Sequence, residues 1–285
     1  MPSLPEVRAI LVTGASSGIG RATVHTFAAA GWQVAATMRR PADADDLAML
    51  TGVRVFPLDV TSTESVEHAV AAAHAAFGRL DAVVNNAGFS VDGVFEAMDD
   101  ALIHRQFDTN VFGLMRVTRA VIPLLRRQPT STLVQVSSMG GRVTFPLYSL
   151  YHGTKWAVEG FSESLAFELR PFGIRVRLIE PGKIRTDFYG RSRARAATPA
   201  DGGYDAFVAR CEAISLATGR DAGSSPEVVA EAIYRAVEDR GWRLRYPVAP
   251  PAPVLMRLRR LLPESWFLRI IRRRYGIEGG HQGAR

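Results

Sequence analysis

Through the first 185 residues, short β-branched runs alternate with longer stretches of helical period. The runs RAILVTG, QVAATM, VRVFPL, AVVNN, TLVQVSS and RVRLIEP read as strands, and several are apolar throughout, as strands buried on both faces are. Between them IGRATVHTFAAAG, TSTESVEHAVAAAHAAFG, ALIHRQFDTNVFGLMRVTRAVIPLL and YHGTKWAVEGFSESLAFELRPFG repeat apolar residues at helical spacing, and two of them close on a Gly near the C-cap position. The pattern predicts an α/β fold with a parallel sheet covered by helices, and two long helices at about 99–127 and 151–170.

After EPGKIRTDF the texture changes. YGRSRARAATPADGGYDAF is polar, rich in Gly and Arg, and weakly periodic, so about 184–224 reads as a mobile excursion over the sheet, with a disordered loop as the alternative. SPEVVAEAIYRAVED then predicts a helix with Ser225 as N-cap and Pro226 at its first position, and WRLRYPV a last strand. The expected organisation is a domain over 1–250 and a basic helical extension over 251–285, which Pro263 splits into two short helices.

A chain of 285 residues with 47% apolar content can fill a large core. Its one cysteine, Cys211, rules out an intrachain disulfide framework, argues against a cysteine-built metal site and suits a reducing compartment. The N-terminus lacks the pattern of a signal peptide and no run of about 18 apolar residues occurs, so the expected location is cytoplasmic. Eight Arg against two acids from residue 251 onward account for nearly all of the net charge of +7. The rest is close to neutral, which speaks against nucleic acid as a partner.

Three stretches carry candidate chemistry. VTGASSGIGRA follows the first strand and opens the first helix, so its residues Gly14, Ser16, Ser17, Gly18, Ile19 and Gly20 form a turn whose bare backbone can approach a pyrophosphate at a helix N-terminus. At the end of the second strand Met38 stands where NAD-binding turns place a ribose-holding acid, and Arg39 follows; an arginine there suits a 2′-phosphate, hence NADP(H) over NAD(H), unless it is simply a solvated basic loop. Tyr151 and Lys155 lie four apart and share one helix face, as surface residues or as an active-site pair.

Together TGASSGIG, NNAG at 85–88, N-x-x-G at 110–113, VSS ending at Ser138, YxxxK at 151–155 and PG at 181–182 resemble the short-chain dehydrogenase/reductase family in its single-domain form, over about residues 7–190. The resemblance implies a Rossmann-type doubly wound sheet with NAD(P)(H), and a tetrad of Asn110, Ser138, Tyr151 and Lys155. It places Asp59 and Val60 at the adenine, Asn86, Ala87 and Gly88 along the cofactor, and Pro181, Gly182, Ile184 and Thr186 at the nicotinamide end, with Tyr151 and Lys155 also meeting the cofactor. It implies a homodimer or homotetramer through the two long helices. A carbonyl that accepts hydride develops negative charge on oxygen, so a donor such as Ser138 and an acid such as Tyr151 match the need. A phenol with an ordinary pKa of about 10 ionises more readily beside an ammonium, which Lys155 would supply.

Met139, Val143, Phe145, Leu147 and Phe188 adjoin these motifs and suggest a lipophilic alcohol or carbonyl substrate, like those of the steroid and retinol branches of the family, with core packing for most of them as the alternative. A 3-oxoacyl carrier ketoreductase and a non-catalytic dinucleotide sensor are the alternatives. VLMRLRRLLPESWFLRIIRRRYG suggests weak contact with an anionic membrane surface, or a terminal helix packed on the domain or a partner.

Overall fold

Six of the apolar runs become strands of one parallel sheet: β1 (Ala9–Thr13), β2 (Gln33–Met38), β3 (Val53–Pro57), β4 (Ala82–Asn85), β6 (Ser131–Val136) and β7 (Ile174–Pro181). The computed structural model describes residues 7–186, 193–199, 201–217 and 223–277. A seventh strand, β9 (Arg245–Val248), completes the order β3-β2-β1-β4-β6-β7-β9. The chain runs outward from β1 to β3 and then crosses back to β4 on the other side of β1. Ligands of such sheets bind at that reversal, outside the carboxyl ends of the strands.

Both sheet faces are covered. In β1, Ile10 and Val12 join the core under α1 (Gly18–Ala29) and α7 (Pro226–Glu238), built around Phe27, Val34 and Ile233. Ala9 and Leu11 point the other way, into the core under α2 (Thr63–Phe77), α4 (Leu114–Leu125) and α5 (Ser149–Leu169), with Val70, Val121, Leu133 and Leu165. The alternation follows from the two-residue side-chain period of a strand, and burial on both faces explains why the run is apolar throughout.

Three features depart from the sequence reading or refine it. The expected helix over 99–127 is α3 (Asp100–Phe107) joined to α4 by a π-helical turn, Asp108–Gly113. That wide turn buries Asn110, and it tolerates no side chain at Gly113, whose Cβ would lie 2.8 Å from Val60 Cγ2. Within 184–224, the described residues are more ordered than expected. Arg193–Arg195 forms a strand, β8, parallel to β5 (Ser90–Asp92), and α6 spans Asp205–Ala217. Arg195 is paired with Glu212 of α6, which ties the excursion together. Finally α8 (Ala252–Leu261) and α9 (Glu264–Arg274) flank Pro263, and Phe267 and Ile271 pack on Val143. Among the described residues no helix is long and apolar enough to cross a membrane.

Candidate active site

The glycine-rich turn sits at the strand-order reversal. Gly14 has φ 66°, and a Cβ on it would lie 2.9 Å from Ala87 Cα; one on Gly20 would lie 2.3 Å from the Gly14 carbonyl oxygen. Thr13 holds the two strand ends together: its Oγ1 accepts the N–H groups of Asn86 (3.0 Å) and Ala87 (3.1 Å). The Asn86 amide returns bonds to the carbonyls of Thr13 (3.0 Å) and Gly14 (3.2 Å). Half-buried Ser16, Ser17 and Ile19 complete the turn, and Ser17 at the N-cap makes no side-chain cap bond, so the first-turn amides of α1 remain available to a ligand. Thr186 returns to this turn, its Cγ2 lying 3.3 Å from where a Gly18 Cβ would be.

The other expected cofactor positions are set around the same strand ends. Pro181 ends β7, the Gly182 N–H donates to Val248 O (2.7 Å), and buried Ile184 bridges to Ser224. Asp59 Oδ1 accepts from the backbone N–H (2.9 Å) and hydroxyl (2.7 Å) of Thr61, and buried Val60 lies against Gly113. Met38 is buried. Arg39 is exposed with no partner among the described residues, whereas Arg40 pairs with Asp43 at 3.1 Å. Bare glycine backbone, free helix-start amides and an unpaired guanidinium at the end of β2 fit a nicotinamide dinucleotide.

Next to this cradle, α5 carries Tyr151 and Lys155. Lys155 is buried, its ammonium donates to Val136 O at 2.8 Å, and it lies 5.8 Å from the centre of the Tyr151 ring. Burial pulls its pKa down to about 8, opposed by the Glu159 carboxylate one turn along. Asn110 is locked: Phe89 N–H donates to its Oδ1 (3.0 Å), and its Nδ2 donates to Phe89 O (2.8 Å) and Thr154 Oγ1 (3.2 Å). Thr154 in turn donates to Tyr151 O (2.7 Å), so the π-turn and the start of α5 form one bonded unit. A Cβ on Gly88 would lie 3.1 Å from Asn110 Oδ1, which brings the end of β4 to the same place.

Ser138 Oγ accepts the Gly140 N–H (3.0 Å), which leaves its own proton free to donate. His152 lies against Gly140, where an added Cβ would be 2.6 Å from its Cδ2 and 3.4 Å from Ser138 Oγ, so the Ser138 loop and the start of α5 are in contact. His152 Nδ1 accepts the Phe145 N–H (3.3 Å), and burial lowers its pKa to about 4, so it is a neutral structural ring.

Of the apolar residues expected at the substrate, Val143 is instead core beneath α9 and Phe145 is half-buried beside it; Phe188 lies outside the described residues. Leu147 lines a groove of about 530 Å³ with Val94, Phe95, Ser149, Tyr204 and Phe207. A depression of about 600 Å³ lined only by α2 and α4 contains no candidate residue. Sequence reasoning missed Thr13, Thr154 and a buried group of Glu159, Glu180 and Arg245. Only Glu159, one turn from Lys155, left a local signal.

Residues 8–197 match the family described as short chain dehydrogenase. A 3-ketodihydrosphingosine reductase of Bacteroides thetaiotaomicron is 32% identical over 270 residues, covering 94% of this chain and 98% of its own. A short-chain dehydrogenase from Streptomyces avermitilis superposes with a TM-score of 0.80 at 33% identity across 96% of both chains. ElxO, solved with NADP bound, has a TM-score of 0.70 at 25% identity over 85% of this chain and 97% of its own. On the family match over residues 8–197 and on these relatives, the chain belongs to the short-chain dehydrogenase/reductase family, enzymes that interconvert alcohols and carbonyls with a nicotinamide dinucleotide.

Proposed function

We propose that the protein interconverts a lipophilic secondary or primary alcohol and its ketone or aldehyde, with NADP(H) preferred over NAD(H). The observation that carries the chemistry is the buried Lys155 ammonium, held on Val136 O beside the Tyr151 ring. A bound nicotinamide supplies or accepts the hydride. Ser138, its lone pair engaged by Gly140, donates a hydrogen bond to the substrate oxygen and keeps its proton, Tyr151 delivers the one proton that completes the alcohol, and Lys155 favours the phenolate left behind. Both Nδ2 protons of Asn110 are engaged, by Phe89 O and Thr154 Oγ1, so the side chain anchors the π-turn against α5, and its Oδ1, which accepts the Phe89 N–H, keeps one acceptor site.

Unpaired Arg39 beside buried Met38 supports the 2′-phosphate. The Leu147, Val94, Phe95 and Phe207 groove, beginning just before α5, supports an apolar substrate, and the sphingoid ketone named for the Bacteroides relative is of that kind. Exposed Phe112, Trp156 and Phe167 on the turn before α4 and on α5 suit an interface between copies, which light scattering of the purified chain would reveal as a dimer or tetramer. Exposed Leu261 and Trp266 among the arginines of α8 and α9 suit an anionic membrane surface. Removing these helices would uncover Val143, so the test is a Leu261→Ser/Trp266→Ser double variant in vesicle sedimentation; sedimentation equal to the parent chain refutes the contact.

The deciding assay is NADPH and NADH consumption by the purified protein over a panel of ketones and aldehydes, with Tyr151→Phe alongside. The reading requires turnover that favours NADPH and apolar carbonyls and collapses in the variant. Preference for small charged carbonyls refutes the substrate class, and turnover that survives in Tyr151→Phe refutes the role of the phenol.

A further inference from the structure

Behind the Tyr–Lys face lies a group of charges that the proposed chemistry does not use. Glu159 on α5 is 3% exposed and Glu180, the residue before Pro181, is 0% exposed. One guanidinium nitrogen serves both: Arg245 Nε is 2.9 Å from Glu159 Oε2 and 3.8 Å from Glu180 Oε1. The other end of Arg245 is taken by the solvent-exposed Glu163, 2.5 Å from its Nη2. Among the described residues neither oxygen of Glu180 receives a hydrogen-bond donor, nor does Glu159 Oε1, and the buried hydroxyls of Ser137 and Ser162 are unpartnered as well. Arg142 is the remaining cation that acts on Glu180, and Lys155 is the cation one turn back from Glu159.

Two buried carboxylates beside one shared guanidinium cannot both stay ionised without a donor between them. The missing donor is a proton. Burial, and then the neighbouring Glu159, push the Glu180 carboxyl up to about 8. Glu159 has the nearer guanidinium contact, so it is the member that keeps its charge. Glu159 lies one helical turn from Lys155, and its charge opposes the burial that would neutralise the ammonium.

We propose that Glu159 and Glu180 share a single proton carried on Glu180, and that the resulting charge on Glu159 positions the Lys155 ammonium and keeps it charged. The shared proton also ties the end of β7, with Pro181 and Gly182, to α5. Both residues are positioning residues. The second half of the inference rests on the reading of Lys155 given above; the first does not.

The test compares full-length parent chain, Glu180→Gln, Glu159→Gln and Glu159→Asp by thermal melting and by kcat/KM with NADPH, each across pH. An acid whose folded pKa lies above its unfolded one destabilises the fold as pH rises between the two, here from 4.5 to about 8. Glutamine at 180 mimics the protonated acid. Glu180→Gln should therefore melt with the parent near about pH 5, melt several degrees higher near about pH 8, and keep kcat/KM within about twofold at neutral pH. Glu159→Gln should lose about tenfold in kcat and move the alkaline limb of the profile about one pH unit lower, with Glu159→Asp restoring the limb. A lower melting point of Glu180→Gln at neutral pH would overturn the shared proton, since it would mean that Glu180 is ionised toward Arg245. A Glu159→Gln profile that overlays the parent would overturn the link to Lys155. Were the parent itself to turn over no carbonyl, the reading of Lys155 would fall with that link, while the melting curves would still judge the proton.

Discussion

Replacing Lys155 with Met removes the ammonium while keeping the apolar stem, and the structure sets the size of the effect. The charge lies 5.8 Å from the Tyr151 ring centre. At an effective dielectric of about 20 that separation is worth about 3 kcal/mol, or roughly two pKa units of the phenol, so kcat/KM should fall about 10²-fold at neutral pH. Folding responds in the opposite direction. The ammonium pKa drops from 10.5 in the unfolded chain to about 8 in the fold, so the folded state binds fewer protons within that window and stability rises with pH across it. Below about pH 8 the buried charge costs a constant ~3 kcal/mol, which Met relieves, while the Val136 carbonyl, left without its donor, costs about 1–3 kcal/mol. The melting temperature should therefore stay level or rise at neutral pH, and the variant should lose the parent's alkaline gain in stability. Steady-state kinetics and melting curves between about pH 6 and 10 measure both. A variant that retains kcat/KM within about threefold, or that melts far below the parent at neutral pH, refutes the reasoning.

Three further outcomes follow from the geometry. Arg39→Glu should reverse the cofactor preference, weakening NADPH by about 10–10² while sparing NADH, as seen in the ratio of kcat/KM for the two; an unchanged ratio excludes Arg39 from the 2′-phosphate. Gly14→Ala, at φ 66° with its Cβ 2.9 Å from Ala87 Cα, should cost about 1–3 kcal/mol of stability and most dinucleotide affinity, checked by melting with and without NADPH. Phe267→Ala should cost about 3–5 kcal/mol by opening a cavity over Val143, lowering the melting temperature by roughly 6–15 °C; a shift under about 2 °C would mean that α9 is not held on the domain by this contact.

Much of this molecule was legible because the relevant signals are local. β1 reads as a buried strand from five adjacent residues, the glycine turn from seven, and the Tyr151–Lys155 pair from a four-residue helical interval. Pro263 divides α8 from α9 by removing a backbone donor, wherever the segment packs. The excursion over 184–224 was harder. Two arginines around one alanine, Arg193–Arg195, have no strand pattern of their own and become β8 only because Ser90–Asp92 offers a ladder about a hundred positions away. Val143 looked like substrate surface until Phe267 and Ile271, over a hundred residues downstream, covered it.

The sequence by itself determined the sheet of parallel strands, the glycine-rich turn between the first strand and the first helix, and the placing of Tyr151 and Lys155 on one helix face, since strand period, turn chemistry and i,i+4 spacing act between near neighbours. Only the tertiary structure decided the environment of those groups. It wound a π-turn at Asp108–Gly113 to lock Asn110, and it brought Glu159, Glu180 and Arg245 from α5, β7 and β9 into one buried cluster behind Lys155. Burial and distance set the charge of an ionisable group, and both depend on which distant segments fold against it.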